Sequence, residues 1–133
     1  MKTVFLDTVG LIATWNEEDE WAQSASAAMR RLDVPRTRFV TTPQILLERA
    51  NAAARTPFRV DVCLLHDQLA AQNDLIDVSP EETQEAWAAY RRDSAGGASI
   101  VDHISFIVMR RLGITDAFSN DRHFKAAGFN TLF

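Results

Sequence analysis

Short apolar runs alternate with helical stretches along the whole chain, and that alternation most constrains what it can fold into. Val4-Phe5-Leu6 is a brief apolar run that halts at Asp7-Thr8 and Gly10, which predicts a short buried strand. Leu11 to Trp15 reads as a helical turn. Glu18 to Leu32 reads as an amphipathic helix, with Trp21, Ala25, Ala28, Met29 and Leu32 at helical spacing. Pro35 ends it, and Arg38-Phe39-Val40-Thr41 predicts a second strand. Thr42-Pro43 then opens a helix from about Gln44 to Arg55, and Pro57 opens another carrying Val62 to Leu69. Leu75 to Val78 predicts a third strand, and Ser79-Pro80-Glu81-Glu82 a helix start. Arg92 to Ala98, with Gly96-Gly97, is the clearest loop. Ser99 to Leu112 reads as an apolar helix stopped by Gly113. Ala117-Phe118 predicts a fourth strand, followed by a turn of helix from Asp121 to Ala126 and a last strand at Thr131-Leu132-Phe133. Strands that alternate with helices predict an α/β fold around a mostly parallel sheet.

At 133 residues the chain has room for one domain with a real core. Its net charge of -4 advertises no polyanionic partner. Its 14 basic residues are all Arg except Lys2 and Lys125. Arg presents a planar fork of donors suited to phosphate oxygens, and the same bias also arises from genome composition. Cys63 is the single cysteine, so no internal disulfide forms and a reducing cytoplasm is expected. The apolar start is too short for a signal peptide or a membrane span.

Four acids sit beside apolar segments, where a carboxylate is unfavourable without a partner. Asp7 follows the first strand, at the end of a parallel sheet where ligands bind. Glu48 follows Ile45-Leu46-Leu47 and borders buried surface. Asp102 is embedded in Ile100-Val101-Asp102-His103-Ile104, three residues after Ser99, in the pattern of a capping box. Asp121 follows Phe118-Ser119-Asn120. Each also has a structural reading, as a loop acid, a helix ion pair, a cap or a turn. Asp116 precedes its strand and is left out. Converging carboxylates repel unless a cation neutralises them, and an all-oxygen set favours Mg²⁺ or Mn²⁺ over Zn²⁺. His66, His103 and His123 lack a ligand spacing and read as surface or core residues. Phosphodiester hydrolysis is the chemistry such an acidic site performs most often.

The order of motifs resembles a family. A strand ending in Asp7-Thr8, a Leu-Leu-Glu helix, the run from Ser99 through Asp102 to Gly113 and Asp116, then Ser119-Asn120-Asp121-Arg122-His123-Phe124 with Ala127-Gly128-Phe129 are similar to PIN domains. They are similar in particular to the VapC-type toxins of toxin–antitoxin pairs. The resemblance covers the chain from 1 to 133 and is most specific from Ser99 to Phe129. It implies a PIN-like, Rossmann-like three-layer sandwich, with a central sheet flanked by helices. It places the family's acids on Asp7, Glu48, Asp102 and Asp121, as metal ligands and catalytic groups, and its small hydroxyl on Ser119. It also implies an RNA substrate, an Mg²⁺- or Mn²⁺-dependent ribonuclease, a homodimer and a cognate antitoxin. Arg49 and Arg122 are candidates to steer the RNA backbone; the alternative for each is a solvated helix charge. Two positions depart from the family's pattern: Val9-Gly10 where a Ser is common, and Ala22 after Trp21 where many members have His.

Two other classes compete. A PIN-like binding module that has lost hydrolysis would lack some of the four acids. A receiver domain phosphorylated on Asp requires paired acids after the first strand and a Lys near the site. Here Asp7 stands alone, and Lys125 falls past the fourth strand rather than at its end.

Overall fold

The computed structural model describes residues 1–133. The chain runs β1 (Lys2–Leu6), α1 (Thr8–Trp15), α2 (Ala22–Arg31), a 3-10 turn (Val34–Arg36), β2 (Thr37–Val40), α3 (Pro43–Ala53) and α4 (Arg59–Ala71). It continues through α5 (Pro80–Arg92), α6 (Ile100–Leu112), β3 (Asp116–Phe118), α7 (Arg122–Ala126) and β4 (Asn130–Thr131). All four strands are parallel, in the order β2-β1-β3-β4, and helices flank the sheet in a PIN-like α/β arrangement. Central β1 buries Val4, Phe5 and Leu6 in succession, as a strand covered on both faces must. Phe118 of β3 and Phe124 of α7 complete the core beside it.

From β1 the chain crosses to β2 on one side, whereas β3 and β4 lie on the other. The order therefore reverses between β1 and β3, which opens a crevice at their carboxyl ends. Gly10 sets how tightly that crevice closes. A Cβ there would lie 2.1 Å from the Phe118 carbonyl oxygen, so the first turn of α1 rests directly on the end of β3. A Ser at this position has no room in this packing.

Four expected elements differ. The predicted strand at Leu75–Val78 is a single bridge, Thr41 to Leu75. β2 has no further partners to offer, because Thr42 caps α3 and Pro43 begins it, while Asn73 turns away in the left-handed region at φ 59°. The helix expected from Glu18 begins only at Ala22. Asn16 Oδ1 accepts from the Glu18 N–H at 3.0 Å and Asp19 Oδ1 from the Trp21 N–H at 2.8 Å, so local side-chain bonds hold the acidic run in turns. The last strand is Asn130–Thr131 rather than Thr131–Phe133, since Phe133 turns onto the Phe118 ring. In the other direction, the helical turn expected from Leu11 is a full helix from Thr8.

Two capping boxes anchor the carboxyl-terminal half. Ser79 pairs with Glu82 at the start of α5, and Ser99 pairs with Asp102 at the start of α6. Gly113, at φ 68°, ends α6 in the left-handed conformation. No helix is long and apolar enough to cross a membrane.

Candidate metal centre

Asp7 leaves β1 in an extended conformation as the residue before α1, and its side chain does not cap that helix. It is 3% exposed. Its Oδ2 accepts a 2.7 Å hydrogen bond from the Ser119 hydroxyl. Ser119, fully buried just past β3, also accepts the Asp121 N–H at 3.0 Å. One hydroxyl thus joins the acid after β1 to the acid after β3.

Burial is the main reason the Asp7 carboxyl is pushed up to about 7; the bond from Ser119 opposes this, and the nearby Asp102 and Asp121 charges add to it. Asp102 reaches the same place from α6. Its Oδ2 accepts the Ser99 N–H at 3.1 Å as the return half of the capping box. Burial raises its carboxyl above the usual range, and the charge of Asp121 adds to the shift. Asp102 therefore caps a helix and faces the other acids at once, as the sequence pattern allowed.

Asp121 caps α7, with Oδ1 accepting the His123 N–H at 2.8 Å. The His123 ring returns to the same oxygen, with Nδ1 at 2.9 Å, while Nε2 lies 3.1 Å from the Gly96 carbonyl oxygen. Both partners are acceptors, so both nitrogens donate only when the ring is a cation. Its pKa is raised accordingly, first by the Gly96 carbonyl and then by Asp121 and Asp102. Ligand atoms of Asp102, Asp121 and His123 all lie within 4.8 Å of one another, a spacing that could hold a metal ion.

Asp7 and Glu48 both lie outside that group of three, although Ser119 links Asp7 to Asp121. Glu48 is exposed on α3, and its Oε1 accepts from the Thr8 hydroxyl at 3.0 Å, which ties it to the residue beside Asp7. Arg122 is exposed at the start of α7. Arg49 is buried, 9% exposed. Asp116 begins β3 and pairs with Lys2 at 3.1 Å, at the amino end of the strands and away from the crevice.

His123 is the residue that spacing rules missed. Its signal is positional: an imidazole two residues after an acidic helix cap folds back onto that cap. His103 makes a longer-range contact of the same His–Asp kind. Its Nε2 lies 2.6 Å from Asp93 Oδ2, so the two histidines tether the loop before α6 at its start and at its middle.

Among solved structures the chain is similar to VapC20 of Mycobacterium tuberculosis, a sarcin–ricin loop cleaving toxin. The TM-score is 0.80 at 25% sequence identity, over 96% of each chain. No protein-family model matches the sequence, and no curated protein does.

Proposed function

We propose that this chain, whose fold is that of a VapC-type PIN toxin, is a metal-dependent endoribonuclease that hydrolyses RNA phosphodiester bonds as the toxin of a toxin–antitoxin pair. Residues 1–133 are its catalytic domain. The observation that carries the reading is the convergence of Asp7, Asp102 and Asp121 at the β1/β3 crevice, with Asp7 buried among like charges. The structural likeness to a toxin that cleaves the sarcin–ricin loop supports RNA as the substrate class.

The donor set fits a divalent cation. Buried carboxylates that raise one another's pKa are the environment a hard cation relieves, and oxygen donors suit Mg²⁺ or Mn²⁺. Asp7, Asp102 and Asp121 would hold the ion, with Glu48 holding a second or orienting water. Such an ion supplies an activated water for attack on phosphorus and charge stabilisation for the leaving oxygen. The protein's own groups prepare the place. Ser119 aims Asp7, and Ser99 fixes Asp102 at the head of α6. Thr8 holds Glu48 at the rim, and the His123 ring, bonded to Asp121, keeps that carboxylate from swinging out toward solvent. Exposed Arg122, next to Asp121, is placed to meet a backbone phosphate.

Purified protein with Mg²⁺ or Mn²⁺ should cut RNA, and EDTA or Asp7→Asn should abolish cutting while the fold persists. Absence of cutting by folded, metal-loaded protein free of bound inhibitor would transfer the site to a PIN-like binding module.

A further inference from the structure

Arg49 makes no hydrogen bond and no ion pair, and its Nη1 is buried without a partner. A buried guanidinium without an acceptor is costly; Nη1 is closed off, whereas Nε and Nη2, also without partners, keep open surface and point to a ligand that completes them. The side chain lines a cavity of about 150 Å³ shared with Ile12, Trp15 and Asn16 of the α1 end and with Thr56 and Phe58 of the turn into α4. Burial lowers the Arg49 pKa, and the neighbouring Glu48 charge only partly restores it.

The polar atoms of this cavity are unequally used. The Thr56 hydroxyl donates to the Ala53 carbonyl at 2.9 Å and accepts the Phe58 N–H at 3.2 Å, so it is satisfied. Asn16 spends its Oδ1 on the Glu18 N–H, and its amide N–H groups meet no protein acceptor. What remains open is a guanidinium and an amide, both donors, between the apolar walls of Ile12, Trp15 and Phe58. A donor-only lining selects an acceptor with negative charge. Planar carboxylate matches the guanidinium fork with two parallel hydrogen bonds, and a short alkyl stem suits the walls. The volume is well below the roughly 300–1,000 Å³ of sites that take drug-sized ligands, which excludes a nucleotide.

We propose that the Arg49 cavity is a carboxylate-binding site, separate from the acidic crevice, that takes a short carboxylic acid or one acidic side chain. Arg49 holds the carboxylate, and Asn16 donates a further hydrogen bond.

The test is the thermal midpoint of the purified protein, titrated at constant ionic strength with sodium glutarate, with acetyl-Ala-Glu-Ala-amide and with inorganic phosphate. A saturable rise with glutarate or with the peptide is expected, and which one acts separates a free acid from a protein side chain. Arg49→Met removes the rise, and Arg49→Lys, which keeps the charge but loses the fork, weakens binding about tenfold. Ile12→Phe fills the cavity with the guanidinium intact and also removes the rise, which keeps the test readable should Arg49→Met not fold. Absence of a saturable rise with either carboxylate, the result if only water fills the cavity, overturns the proposal. So does a rise that survives Arg49→Met and Ile12→Phe, or an equal rise with phosphate. RNA cleavage plays no part in the readout, so the nuclease reading and this one fail separately.

Discussion

Asp7 has almost no access to water and two like charges close by, with one hydroxyl donor facing it. In metal-free protein its folded pKa of about 7 stands above the ordinary 3.8, so the folded state holds the proton more tightly than the unfolded chain does. The penalty for ionising it is absent below about pH 4, grows as pH rises, and is complete above about 7. EDTA-treated Asp7→Asn should therefore exceed the wild type in stability at pH 7 by about 2–4 kcal/mol, a gain that vanishes near pH 4. Denaturant melts at the two pH values check this, and equal stability at pH 7 would contradict the assigned environment. Ser119→Ala removes the donor to Asp7 and the acceptor of the Asp121 N–H together. It should destabilise the fold by about 1–3 kcal/mol and lower RNA cleavage in the presence of metal, as melts and initial rates would show.

At the scale of elements, the crevice depends on how closely α1 and β3 approach. Gly10→Ala would drive a Cβ into the Phe118 carbonyl, separating Asp7 from Ser119. It should destabilise by about 1–3 kcal/mol and reduce cleavage more than an exposed Ser24→Ala control in α2, measured side by side. On the far side of the molecule, Arg111 of α6 grips both oxygens of Glu82 at 2.7 and 3.1 Å and the Asp77 carbonyl at 2.8 Å, pinning α6 to the start of α5. The Arg111 bond, followed by the Ser79 backbone, holds the Glu82 carboxyl below its ordinary range. Its stabilising contribution is thus present above that range and is lost as pH falls through the depressed value. Glu82→Gln should lower stability at pH 7 by about 1 kcal/mol or less, with the difference disappearing in strong acid. Paired thermal melts across pH would show it.

For the whole molecule, mutual repulsion at the crevice makes the metal-free protein sensitive to cations. Mg²⁺ or Mn²⁺ should raise the thermal midpoint of the wild type in a saturable way, and Asp121→Asn should blunt that rise. A midpoint indifferent to both ions would remove the metal site from the proposal. Apolar surface is also left open: Leu47 of α3 and Val60 and Leu64 of α4 are each more than 60% exposed, while Trp87 and Tyr90 of α5 form an edge-to-face pair at 5.8 Å. The stretch from Glu85 to Tyr90 is thus only partly core, with Ala86 buried and Trp87 and Tyr90 showing outward.

The α/β class, the parallel sheet and the helix starts at Ser79 and Ser99 were legible in the sequence because they rest on local rules: strand runs of continuous apolar residues, and a capping Ser just before acids. The positions of Asp7 and Asp121 at strand ends were legible for the same reason. Tertiary structure alone decided the rest. Leu75–Val78 has the composition of a strand, yet a strand needs a neighbour, and β2 had already given way to α3. Glu48 and Asp102 looked alike beside apolar runs, but only Asp102 joins the compact cluster, because helix phase and the path of the backbone set where a side chain points. His123 and Arg49 carry no spacing signal. One acts through a neighbour brought back by a tight turn and a loop twenty-seven residues away, and the other is buried by α1, far off in sequence. Local propensity is written into a few adjacent residues, whereas burial and the company a charge keeps exist only once distant segments have packed.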